Sequence, residues 1–253
     1  MVYRSKRTML KRVVPKTVVV TTKRKRRNPA DRLKRLTFNS EKGKNGPFPA
    51  VMRAVFPYAD NNPAWGYSAG VPNVYTYRLN SLYDPNYTGT GTSVQYLTTL
   101  MGAENGNAPY RWYKVVNSKY IVTISNRSTD LTSISRFSVT VTNSSTAYPA
   151  TLEQAMMDSQ TRVSGLLNVA TSGKNTQTLR GTVSMKHVLG AEIFNQLSAA
   201  ADYDESPTGG YAVYMHIAIW PIDEATNTLN TFVGRTEVLC DAILFDKNVD
   251  GTA

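Results

Sequence analysis

Arg136-Phe137-Ser138-Val139-Thr140-Val141-Thr142 is the stretch whose reading decides the fold class. Phe137, Val139 and Val141 alternate with Ser138, Thr140 and Thr142. A period of two places the apolar side chains on one face of an extended chain and the hydroxyls on the other. Aromatic and β-branched residues suit that pleated surface. The stretch therefore predicts an antiparallel strand with one face in a core and one face exposed.

The same period recurs on both sides of it. Towards the N-terminus, residues 49–58 and 74–83 read as strands, the second with Tyr75, Tyr77 and Leu79 on one face. Residues 110–116 and 119–126 follow, with Tyr120, Val122 and Ile124 facing one way. Towards the C-terminus, 162–168 and 176–188 read as strands. Residues 211–220 are apolar on both faces and are predicted to be central in a sheet. Residues 232–245 close the fold, with Arg235, Glu237 and Asp241 on one parity and Val238, Cys240, Ala242 and Leu244 on the other. Two short helices are expected. One spans 151–159 with Leu152, Ala155 and Met156 on one side, the other 191–200 with Ile193, Phe194 and Leu197 inward. Long connections at 84–109 and 143–160 are expected to make contacts or lie on the exterior. About eight strands without strand–helix alternation predict an all-β protein. The leading architecture is an antiparallel eight-stranded jelly-roll sandwich, and an immunoglobulin-like sandwich fits the same strand count.

Charge divides the chain more sharply than strand pattern does. Residues 1–44 carry 16 Lys and Arg against Asp31 and Glu41, a net of +14, whereas the remaining 209 residues carry 13 basic and 16 acidic groups, a net of −3. The sequence thus predicts a disordered basic arm over 1–44 and a folded domain over 45–253, because the arm has too little apolar surface to offset its chain entropy. Its candidate nucleic-acid contacts are Arg4, Lys6, Arg7, Lys11, Arg12, Lys16, Lys23, Arg24, Lys25, Arg26, Arg27, Arg32, Lys34 and Arg35, with Pro15 and Pro29 interrupting any continuous helix. A solvated surface accounts for two or three such charges, but 14 in the first 35 residues against the single acid Asp31 call for a polyanion. Lys23–Arg27 also has the form of a nuclear-localisation signal, which would bring in a nuclear import receptor.

Motifs that carry chemistry are scarce. One cysteine, Cys240, excludes an intrachain disulfide framework and a multi-thiolate zinc site, and its alternation with Val238 and Ala242 places it in the core. His187 and His216 fall in predicted strands without metal-ligand spacing, so both read as core or sheet-face residues. Gly89-Thr90-Gly91-Thr92 is followed by more polar loop rather than a helix, and reads as flexible loop. Asp202, Asp204 and Glu205 offer a cation site only weakly and read as a solvated acidic turn. Neither a nucleophile elbow nor a phosphate-binding loop motif occurs, so the expectation is a protein that is not an enzyme and uses no cofactor or metal. No stretch is long and apolar enough to span a membrane and the N-terminus lacks a secretory apolar run. A cytosolic product is expected, whose Asn-x-Ser/Thr sites at Asn86, Asn126 and Asn143 stay unmodified. Trp65, Tyr67, Tyr75, Tyr77, Tyr83, Tyr87, Tyr110, Trp112 and Tyr113 sit mostly at predicted strand ends and loops. On a near-neutral body they suit protein–protein contacts better than base stacking, and core packing accounts for many of them.

Several islands then carry a resemblance. They are the basic arm, Tyr77-Arg78-Leu79-Asn80-Ser81-Leu82-Tyr83-Asp84-Pro85-Asn86, Tyr113-Lys114-Val115-Val116 with Lys119-Tyr120-Ile121-Val122, and Val183-Ser184-Met185-Lys186-His187-Val188-Leu189-Gly190, followed by the closing strands around 214–220 and 238–245. In this order they resemble capsid proteins of circular, replication-protein-encoding single-stranded DNA viruses (circovirus-like). The resemblance implies one jelly roll of two four-stranded sheets, self-assembly into a small icosahedral shell of about sixty copies (T=1), and an arm that faces the genome and directs nuclear import. Virion, host nucleus and cytoplasm are the implied locations. The arm mixes Lys with Arg where that family is almost purely Arg-rich. Two other readings share its main features: a capsid protein of a small RNA or satellite virus, and a cellular nucleic-acid-binding β-sandwich module.

Overall fold

The period-two stretches become strands because their apolar parity finds a common core. The computed structural model describes residues 51–61, 65–68, 71–89, 110–202, 204–222 and 228–247. All belong to the second of two units, Ser40–Ala253; the first, Met1–Asn39, lies outside the described residues. Eleven strands are found among the described residues: β1 (Met52–Asp60), β2 (Trp65–Ser68), β3 (Val71–Pro72), β4 (Tyr75–Arg78), β5 (Tyr110–Asn126), β6 (Ser135–Thr142), β7 (Thr161–Val163), β8 (Thr176–Ser184), β9 (Ala201–Asp202), β10 (Tyr214–Pro221) and β11 (Thr228–Lys247). Three short helices lie between them: α1 (Leu152–Met157), α2 (Met185–Leu189) and α3 (Ala191–Asn195).

The pairing is antiparallel throughout. One sheet contains β1, β11, β5 and β8 side by side, and the other runs β4-β10-β6-β7. The chain passes from β1 to β4 in the opposite sheet, back to β5, across to β6 and β7, back to β8, across to β10 and back to β11. Eight strands wound in this order are a jelly roll, so the order of pairing excludes the immunoglobulin-like alternative. The nine predicted stretches supply its framework of eight strands, two of them merging into β5, and three short strands extend it. The 20-residue β11 is longer than β1, which covers only Thr236–Leu244, so β2 and then β3 continue the sheet beyond it, while β9 pairs with β5 at Trp112 and Tyr113. The first sheet thus has seven strands rather than the four implied by the resemblance. Met52 pairs with Leu244 and Tyr110 with Lys247, so the chain enters β1 and β5 and leaves β11 at one end of the sandwich.

One core fills the space between the sheets, with Tyr77, Val122, Ile124, Phe137, Ile217, Phe232 and Val238 fully buried. The strand predicted as two pieces, 110–116 and 119–126, is a single one. A bulge opposite Asp241 and Ala242 leaves Val116 extra on β5, and the inward residues change from odd (Tyr113, Val115) to even (Ser118, Tyr120, Val122). That change of parity is what made one strand look like two. Residues 136–142 also depart from expectation, because Ser138 and Thr140 on the hydroxyl face are buried. The segment 143–160 folds over this face, with Ala155 of α1 packed among Ala218 and Trp220. Ser138 accepts a hydrogen bond from Trp220 Nε1 at 2.8 Å, and Thr140 shares one with Thr161 at 2.7 Å. β10 is buried along its whole length, as its two-sided apolar pattern requires.

Local rules also correct the ends of several elements. The strand predicted over 162–168 stops at Val163, because the Ser164 hydroxyl takes the Phe137 N–H (2.9 Å) that a longer β7 would have needed. Residues 176–188 leave the sheet at Ser184 and turn into α2, which carries His187 to an exposed face. In α1 Met156 is outward, and the helix predicted over 191–200 breaks at Gln196, leaving Leu197 exposed while Ile193 and Phe194 still pack on the core. Lys114 closes the end of α3 by donating to the carbonyls of Phe194 and Gln196. Truncating Ile124 to Ala should cost about 3 kcal/mol in urea unfolding, against about 0.5 kcal/mol or less for the partly exposed Leu239→Ala.

Candidate functional site

The basic residues selected from the sequence, Arg4 to Arg35 with Lys23–Arg27 among them, lie outside the described residues, as do 90–109 of the long 84–109 connection. The described body offers three other things: a buried polar frame, an acidic turn and exposed apolar residues.

The 77–86 island is the centre of the polar frame. Leu79, Asn80, Ser81 and Leu82 are buried although they form a connection. Their polar groups are therefore satisfied locally. Asn80 donates to the Tyr211 carbonyl (2.7 Å) and accepts from the Val213 N–H (2.9 Å), while Ser81 accepts from the Asp84 N–H (2.9 Å) and shares a bond with Ser206 (2.9 Å). Arg78 reaches Asp84 at 3.3 Å and lies 4.6 Å over the Tyr87 ring. Beneath it the Ser118 hydroxyl donates to the Leu79 carbonyl at 2.5 Å, linking the two sheets. Cys240 lies beside this bond, 3.5 Å from the same carbonyl, and burial pushes its thiol up to about 11. It is a core residue with no thiolate to offer near neutrality.

Of the nine aromatics in the sequence reading, Tyr77, Tyr110 and Tyr113 are wholly in the core, and Tyr87 is substantially exposed. Tyr77 donates to Asp60 (3.1 Å), which also accepts from Asn86 (2.9 Å), and Tyr113 donates to the Glu205 carbonyl (2.7 Å). Asp202 pairs with Arg111 at 3.6 Å, and Asp204 and Glu205 are exposed. No three His, Cys, Asp or Glu side chains among the described residues come together as a metal site.

His216 is the buried titratable residue whose surroundings the sequence did not disclose. Its Nε2 lies 2.9 Å from the Ser144 carbonyl, which can only accept, so this nitrogen carries the proton; Nδ1 then accepts from the Thr76 hydroxyl at 2.9 Å. The ring lies between Tyr214 and Tyr148, at 6.2 and 5.3 Å. One neutral imidazole thus fastens the start of the 143–160 segment to β4 and β10. Partners this far apart in sequence leave no local signal.

Exposed apolar residues gather in two places among the described residues. Leu131, Leu166, Ile222 and Val71 all stand at the end of the sandwich where β6 begins and β10 ends. The Ile222 N–H donates to the Ile134 carbonyl there, and Leu167, beside Leu166, bridges to Ser135. On the outer face of the first sheet, Val55 and Leu239 lie beside the Arg53–Asp241 ion pair, whose hydrogen bonds lower the Asp241 pKa.

No protein-family model and no curated protein sequence matches the chain. Solved structures do. Turnip yellow mosaic virus aligns over 83% of this chain and 89% of its own at 14% identity and a TM-score of 0.40. Cocksfoot mottle virus aligns over 79% and 97% at 10% identity and 0.43, and mud crab tombus-like virus over 83% and 96% at 12% identity and 0.44. With TM-scores below 0.5 and identities of 14% or less, the jelly roll rests on the strand order of this chain itself.

Burial lowers the His216 pKa below its ordinary 6.5, the bond to Ser144 opposing this in part. The unfolded chain therefore takes up the proton first. The contribution of the neutral ring is complete above 6.5 and declines as pH falls from there towards the lower folded value. Stability against urea should fall over that window, and His216→Gln should flatten the dependence.

Proposed function

We propose that this chain is a viral capsid protein, structural rather than enzymatic, that closes a shell around nucleic acid. The observation that carries the reading is the division of charge: +14 in residues 1–44 and −3 in the rest, which folds as a jelly roll. A near-neutral body packs against copies of itself without mutual repulsion, and symmetric repetition presents many arms to one polymer. Each arm neutralises phosphates without reading base sequence. The arm is proposed to serve two roles in turn, with Lys23–Arg27 open to a nuclear import receptor before assembly and enclosed with the genome after it.

Two readings of the packaged polymer are kept. The ordered sequence islands favour single-stranded DNA, a circovirus-like capsid and the sixty-copy shell that goes with it. The viruses named above belong to other groups, and they sit better with the capsid of a small RNA or satellite virus.

Electron microscopy of the purified full-length chain should show uniform shells. Removing residues 1–37 should leave assembly intact and the shells free of nucleic acid. A strictly monomeric full-length chain at high concentration would sink the proposal, and a discrete dimer would favour a cellular binding module. Extracted nucleic acid should be degraded by DNase under the first reading and by RNase under the second. Binding of single strands by the unassembled protein should weaken with salt, with a log–log slope of about −0.7 per phosphate neutralised, and lose most of that slope with the arm.

A further inference from the structure

The pairing of β5 with β8 leaves an opening at the edge of the sandwich. Tyr120 of β5 stands opposite Gly181 of β8, and the hydroxyl end of its ring lies over that glycine. A Cβ at 181 would come within 2.4 Å of the Tyr120 Cζ and Oη, so only glycine allows this ring position. The ring is thereby carried past the edge strand. Tyr120 is 3% exposed, yet its hydroxyl has no hydrogen-bond partner among the described residues. The oxygen is not among the buried polar atoms without a partner, so it is the accessible part of the side chain and belongs to the pocket lining.

The hydroxyl opens into a pocket of about 290 Å³ between the sheets. Arg162 of β7 stands across it, held by one N–H to the Arg180 carbonyl at 2.8 Å. A guanidinium has five N–H groups, so others remain for a ligand. His187 of α2 and the hydroxyls of Ser159 and Ser184 complete the polar wall, and Val141 lies on the apolar side. No Asp or Glu lines the pocket. The nearest carboxylate in sequence, Asp158, is already engaged by the Gln160 N–H (3.0 Å) and the Thr161 hydroxyl (2.5 Å). Burial raises the Tyr120 pKa while the Arg162 charge pulls against it, which places the cation within electrostatic reach of the phenol.

A pocket with a fixed cation, several donors and no negative group selects an oxyanion. Its volume exceeds that of phosphate alone, and the valine and tyrosine surfaces provide for an organic portion. We propose that the pocket binds the phosphate group of a nucleotide, free or within a strand, anchored by Arg162 and the Tyr120 hydroxyl. The strand source rests on the packaging function proposed above; the free source does not.

The test is hydrogen–deuterium exchange of the full-length chain, read in peptides covering 159–164 and 182–190, so that binding by the arm does not enter the signal. The probes are 5′-AMP, 5′-dAMP, inorganic phosphate, adenosine and a short oligonucleotide. The nucleotides should protect both peptides and adenosine should not. Tyr120→Phe keeps the ring over Gly181 and removes only the hydroxyl, and Arg162→Gln changes an exposed side chain. Each should raise the nucleotide concentration for half-protection about tenfold or more, with thermal unfolding confirming the fold. Protection by the oligonucleotide as well assigns the strand source, and protection by mononucleotides alone the free one; both sustain the proposal. Absent protection, equal protection by adenosine, inorganic phosphate as effective as nucleotide, or no effect of either variant would overturn it. Failure here with nucleic acid still packaged removes the pocket alone, whereas protection in shells empty of nucleic acid removes the packaging reading alone.

Discussion

The pairing of β5 with β11 is the constraint that most of this structure depends on. It joins residues 110–126 to 232–247 across more than 100 positions of sequence, with one bulge where Val116 is passed over. β1, β8 and β9 take their register from one of these two strands. The bulge sets which side chains of β5 reach the core on either side of it. It brings Ser118 inward, where its hydroxyl finds the Leu79 carbonyl of the opposite chain segment. A pairing between such distant segments forms late relative to local turns and gains most from the apolar parity shared by both strands.

Polar groups are buried here both in the connections and within strands. Asn80, Ser81, Ser118, Ser133, Ser135, Ser164 and His216 are all enclosed and all bonded. Such groups add modestly to stability when paired and cost more when left unpaired, so they fix which arrangement the connections adopt. The low content of charged residues in the body follows from the same design, since Ser, Thr and Asn supply short-range bonds without bringing net charge.

Much of this was legible in advance because sheet structure has a short period. Residues 232–245 showed both faces of a strand, and 211–220 showed burial on both sides. The errors arose where distant residues decide the outcome. Nothing near Ser138 and Thr140 signals that Trp220 and α1 will cover them, and nothing in 110–126 separates a bulge from a break. Leu197 and Met156 followed helical spacing in elements too short for that spacing to govern burial. The basic character of residues 1–44 was legible from charge alone, and those residues lie outside the described ones. His216 and the Tyr120 hydroxyl were not legible, because each is defined by groups on other strands: Thr76 and Ser144 for one, Gly181 and Arg162 for the other.

The placement of Met52 opposite Leu244 has a practical side. The segments before β1 and after β11 meet the sheet at the same end of the sandwich. A peptide inserted after Lys247 would leave the sheet at the end where β1 begins rather than at the opposite end of the sandwich. Tags placed before β1 and after β11 then share one end of the sandwich, and crowding between them is the governing limit.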